Sequence, residues 1–144
     1  MTLTVVKFLH LVAWLLLFTS SIQKNRLVST PSVDESAVLR IRKWDKVSGA
    51  MSGVMLLTGF GMLVWLAKPT SYYLGSDWFA VKMGFFVVGS VWIVLTKIWM
   101  RRALRTGQWP QIPPALVRRG LRFDLVVLSV MTLCGLLLAH GSFI

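Results

Sequence analysis

Four stretches of this chain are long and apolar enough to cross a bilayer, and they limit its fold more than any other feature. They cover 3–22, 47–67, 78–100 and 123–144. A hydrocarbon core about 30 Å thick takes roughly 20 helical residues at about 1.5 Å each. Lipid offers no water to the backbone, so each stretch must satisfy its own peptide groups and is expected to be a helix. A barrel would need strict apolar–polar alternation, which these stretches lack. Composition agrees: 56% of the 144 residues are hydrophobic and 15% charged, where soluble domains run at about 45–50% and about 25%. The expected fold is all-α, an integral membrane four-helix bundle forming one domain over 1–144. Cys134 is the sole cysteine, so an internal disulfide and a cysteine-built zinc or iron–sulfur site are both excluded.

The net charge of +11 would suit a nucleic-acid surface, but its placement does not. Residues 23–46 carry Lys24, Arg26, Arg40, Arg42, Lys43 and Lys46. Residues 101–122 carry Arg101, Arg102, Arg105, Arg118, Arg119 and Arg122, whereas 68–77 carries only Lys68. Basic residues are retained on the cytoplasmic side, so the first and third connections are expected there, with both termini periplasmic. The same connections should attract anionic lipid headgroups. Lys7 lies inside the first apolar run and no small-x-small cleavage site precedes Gln23-Lys24, so that run reads as a retained helix. Leu27–Ala37 reads as a loop, and Ser36–Lys46 as an interfacial helix entering the second span. Trp65, Tyr72, Tyr73 and Trp78 near one boundary, and Trp44, Trp99 and Trp109 near the other, read as aromatic belts.

Ionisable groups inside a span are candidate functional residues, because each costs roughly 2.5–3.5 kcal/mol at a helix centre. Lys7, His10, Lys82 and His140 fall in one layer toward the outer face, and Met62 and Met83 share it. Lys7, His10 and Trp14 have spacings of three and four and so lie on one helix face, expected to turn into the bundle. Asp124 is expected at the cytoplasmic end among Arg118, Arg119 and Arg122. A titratable layer on one side alone argues against a transporter acting by itself. His10 suits an interhelical hydrogen bond, haem ligation or a proton relay. Gly49 and Gly53 are spaced as GxxxG, with Ser48 and Ser52 in the same register, which marks an association face for a protein partner or a homo-oligomer. No Walker A, GxGxxG or nucleophile-elbow pattern is present.

Several short motifs resemble those of a group of small four-span bacterial membrane proteins. The residues concerned are Lys7-Phe8-Leu9-His10 followed by Trp14, Tyr72-Tyr73 followed by Phe79-Ala80-Val81-Lys82, Arg105-Thr106-Gly107 leading to Pro110 and Pro113, and Ala139-His140-Gly141. The group includes the HemJ-type protoporphyrinogen oxidases and the CopD copper-resistance proteins, and the nearest likeness is to a branch described simply as membrane proteins of unknown function. The resemblance implies a multi-pass protein of the bacterial inner membrane. It also implies a haem b site with His10 as the iron ligand and a catalytic role for Lys82 if the protein is an oxidoreductase. Met62, Met83 and His140 are then candidates for the second ligand by depth, and Lys7 lines the same site. The chain departs from the HemJ pattern at Thr96-Lys97-Ile98-Trp99, where that pattern has a histidine, and at Arg119–Asp124, where it has Asn-Glu and Pro. Two further readings stand beside the redox one: a non-enzymatic accessory or assembly subunit, and a copper-handling protein using His10, His140 and the methionines.

The charge asymmetry makes a direct prediction about orientation. A cysteine introduced between 27 and 37 should resist an impermeant thiol reagent in intact cells and react once the membrane is opened. Labelling in intact cells would reverse the topology.

Overall fold

The structure is a computed structural model describing residues 2–66 and 68–140, the side chains of Leu66, Ala139 and His140 excepted. Four long helices carry it: α1 over Thr2–Val28, α2 over Glu35–Gly61, α4 over Asp77–Thr106 and α5 over Ala115–His140. A π-helical turn, Met62–Leu66, continues α2, and the short α3, Thr70–Leu74, lies before α4. All four long helices meet the length and hydropathy required of a membrane span. The helices pack as a ring, α1 on α2, α2 on α4, α4 on α5 and α5 on α1, with the closest packing inside the α1–α2 and α4–α5 hairpins.

Each helix starts or stops where the backbone chemistry changes, not where hydropathy does. Hydropathy marks the part of a helix in lipid. It says nothing about where the hydrogen-bond ladder ends. α1 therefore runs six residues past Ile22, and Ser36–Lys46 belongs to one unbroken helix with the second span. Asp34 caps α2, its Oδ1 accepting from the Ala37 backbone N–H at 2.8 Å. That bond and the Ser36 hydroxyl hold the Asp34 carboxyl below the usual carboxylate range. α4 ends at Gly107, which takes φ 61° and donates its N–H to Ala103 O. The expected loop 27–37 thus shrinks to 29–34, and 101–122 to 107–114. Twenty-seven residues in α1 give about 40 Å of helix against about 30 Å of hydrocarbon. The excess stands at the basic end.

That end holds the densest core. Val28, Val33, Val38, Ile41, Met100 and Leu121 are buried together there, and Trp109 is half-buried against them. Trp99 belongs to the same cluster at 9% exposure, so it is a packing residue and not part of an interfacial belt. The two connections are tied by an isolated antiparallel bridge: Val33 N–H donates to Gln111 O at 2.8 Å, and Gln111 N–H returns to Val33 O at 2.9 Å. Elsewhere large apolar side chains such as Leu57, Val87 and Leu133 face outward, as a lipid-facing surface requires.

The α4–α5 crossing depends on Gly120. A Cβ there would lie 2.8 Å from Trp92 Cε3 and 3.0 Å from Cδ2. Gly120→Ala should cost about 1–3 kcal/mol by overpacking, read as a lower unfolding temperature in detergent. Gly84→Ala, with nothing within 4 Å of the new atom, should not.

Candidate functional site

Two polar layers lie within the bundle, one toward each end. In the layer away from the basic end, His10 Nδ1 is 2.7 Å from Thr58 Oγ1. Thr58 also donates its single hydroxyl proton to Val54 O at 2.7 Å. With that proton spent, Thr58 must accept, so Nδ1 carries the ring hydrogen and Nε2 keeps a lone pair. α2 approaches closely here because residue 59 is glycine: a Cβ on Gly59 would sit 3.6 Å from His10 Cε1. Lys82 is half-buried on α4. Its Nζ lies 3.8 Å from where a Cβ on Gly135 would be, and it makes no ion pair among the described residues. One turn inward from His10, Trp14 stacks on Phe18 with centroids 5.4 Å apart. Its buried Nε1–H has no acceptor among the described residues.

The expected outer layer is thus partly assembled. His10 makes the interhelical hydrogen bond, and Lys82 is half-buried on α4 with its Nζ beside Gly135 of α5. Lys7 does not join them. It is exposed on α1, because its long stem near the helix end lets the ammonium leave the bundle. Met83 is 39% exposed, outside the bundle interior expected for it, because it follows Lys82 directly and so turns to another face of α4. Met62 is half-buried in the π-helical turn, which packs on α1. The side chain of His140 lies outside the described residues. Gly49 meets Lys97 Nζ at 3.8 Å, while nothing comes within 4 Å of a Cβ on Gly53. That face is therefore not a close helix contact inside this bundle.

The second layer, toward the basic end, was not expected. Lys24 is 1% exposed and Asp45 3%. Lys24 Nζ donates to Ser48 Oγ at 3.1 Å and lies 3.7 Å from Asp45 Oδ1. The partly exposed Lys97 reaches Asp45 Oδ2 at 3.8 Å. Asp124, expected among arginines, is instead buried, and accepts from the Ser21 hydroxyl at 2.5 Å. Its neighbours Arg119 and Arg122 are exposed, and Arg118 donates to Thr30 O and Pro31 O, each at 3.0 Å. Between Lys24 and Asp124 lies a cavity of about 30 Å³, room for about one water, which Ser48, Ser52 and Ser90 also line. Titratable groups therefore sit at both ends of the bundle, and the one-sided layer read from hydropathy is incomplete. Lys24 and Asp45 escaped notice because they fall outside the apolar runs. The signal was present in Asp45, Ser48 and Ser52, spaced three and four apart on one face of α2.

The fold defines a small multi-pass membrane protein with polar groups held between its helices. The chain belongs to the family described as "Predicted membrane protein (DUF2214)", which it matches over residues 3–142. No curated protein and no solved structure matches it.

The buried pair predicts an asymmetric response. Asp45→Ala leaves Lys24 buried and unpaired, and should cost about 3–5 kcal/mol. Lys97→Ala removes a partly exposed partner and should cost under about 1 kcal/mol. Denaturant unfolding in mixed micelles measures both. Equal losses would mean that Lys97, not Lys24, carries the pairing.

Proposed function

We propose that this protein is a haem b-binding redox protein of the bacterial inner membrane, with His10 Nε2 as an iron ligand and both termini periplasmic. The observation that carries this reading is the 2.7 Å contact of His10 Nδ1 with Thr58 Oγ1, which leaves Nε2 as the ring nitrogen open to a metal. A metal-ligating histidine typically donates its other ring N–H to a protein acceptor, which orients the ring and makes it more basic; here Thr58 is that acceptor. Two further features fit the group. Among the described residues the Trp14 N–H lacks an acceptor and the Lys82 ammonium lacks a counter-charge, and haem brings carboxylates that would serve both. Bound haem would supply a one-electron iron couple. The chain would hold it through His10, balance its carboxylates through Lys82 and keep the ring oriented through Thr58. A catalytic part for Lys82 rests on the resemblance of its surroundings to the HemJ-type enzymes.

A second reading, an accessory subunit, is favoured by the open space over Gly53, where another helix could approach closely. The readings separate on purification, since a subunit would bring stoichiometric partners and no Soret band.

Protein from haem-replete cells should show a Soret band that His10→Ala removes while the chain still inserts. Thr58→Val should keep the band and lower haem affinity about 10–100-fold. A wild type without the band discards haem, and an unchanged spectrum in His10→Ala discards this ligand.

A further inference from the structure

At the basic end, the α1–α2 turn and Pro110 enclose a groove of about 340 Å³. Leu27, Val33 and Pro110 give it apolar walls, and Arg26 of α1 and Arg40 of α2 line it. Both arginines are exposed, and neither is in an ion pair or hydrogen bond among the described residues. One carboxylate, Asp34, also lines the groove. It accepts from the Ala37 N–H and the Ser36 hydroxyl and offsets one of the two charges, Arg40 being the nearer to it in effect, without an ion pair to either arginine.

The turn itself is held rigid. Arg118 ties down the carbonyls of Thr30 and Pro31, the Thr30 hydroxyl sits between Leu27 O and Ser32 O, and the Val33–Gln111 bridge fixes the far side. A site that needs no ordering on binding keeps more of its interaction energy. Depth identifies the ligand. Arg26 follows the last apolar residue of the first span, Ile22, by four residues, or about 6 Å of helix. Arg40 precedes the second apolar run by seven residues, or about 10 Å. Headgroups occupy roughly 5–8 Å outside the hydrocarbon on each side. Arg26 therefore stands at headgroup level and Arg40 just outside it, near enough for its long side chain to reach back, with arginine forks suited to phosphate oxygens and apolar walls suited to the glycerol backbone.

We propose that this groove is a binding site for the phosphate headgroup of an acidic glycerophospholipid, bridged by Arg26 and Arg40. The site is separate from the His10 layer and does not depend on haem.

The test uses the full chain in a neutral detergent, titrated with phosphatidylglycerol and followed by native mass spectrometry. The wild type should hold one lipid. The double variant Arg26→Gln/Arg40→Gln should bind it roughly thirty-fold more weakly, from two arginines near the surface. Arg101→Gln/Arg102→Gln removes the same charge elsewhere on the basic end and should leave binding unchanged. Arg26→Lys/Arg40→Lys keeps the charge and should fall between, which separates recognition from misfolding. Equal weakening by both glutamine pairs would reduce the site to a diffuse field and overturn the proposal. So would equal binding of phosphatidylcholine. Competition by glycerol 3-phosphate at the lipid's own affinity would reassign the groove to a soluble phosphate ester.

Discussion

A charge buried between membrane helices must find its counter-charge within the protein, and the basic half of this bundle is arranged around that demand. Lys24, 1% exposed, is shut off from bulk solvent by the packing. It lies against Asp45 and Ser48 on the neighbouring helix instead. Asp124 makes no ion pair among the described residues and is held instead by a hydrogen bond from the Ser21 hydroxyl, with Gly89 close by: a Cβ there would lie 3.7 Å from Asp124 Oδ1. Helix contacts in lipid lack a hydrophobic driving force, so polar contacts and small residues carry more of the specificity there. Both act at this level, from three helices at once.

The opposite half is built differently. His10, Thr58 and Lys82 are half-buried, and the buried apolar cluster lies at the basic end. Lys68 and Tyr72 close this half by reaching the Leu138 carbonyl, at 3.5 and 3.2 Å, near the C-terminal end of α5. A cation near the negative end of a helix dipole is favourable. One half is thus a rigid, paired scaffold. The other presents a histidine lone pair, a lysine and a tryptophan N–H that the fold leaves uncommitted.

The apolar runs made the four helices and their order legible, because crossing lipid imposes a length that few other structures share. They did not reveal the helix ends. Those depend on single capping residues such as Asp34 and Gly107, which a hydropathy window averages away. The site was legible to the same degree. His10 stood out as a histidine inside a span, and its face was readable from its spacing to Trp14. Its partner Thr58 was not, since a hydroxyl on another helix becomes a partner only through packing. Lys24 reads as a loop charge, and Asp45 stands out in no way, until α1 and α2 are drawn at full length. Lys7 shows the converse, a charge inside an apolar run whose stem is long enough to escape.

Lys24 and Asp45 lie on the two helices of the first hairpin, and this bears on how the chain enters the bilayer. A nascent hairpin holding one of these charges alone would meet the full cost of carrying an ion toward hydrocarbon. Because both emerge before α4 and α5 are made, the first hairpin brings its own neutralising partner and can insert as a unit. Asp124 arrives later, into a membrane where Ser21 already waits on the inserted hairpin. The charge pair that joins α1 and α2 is therefore complete before the second hairpin is made.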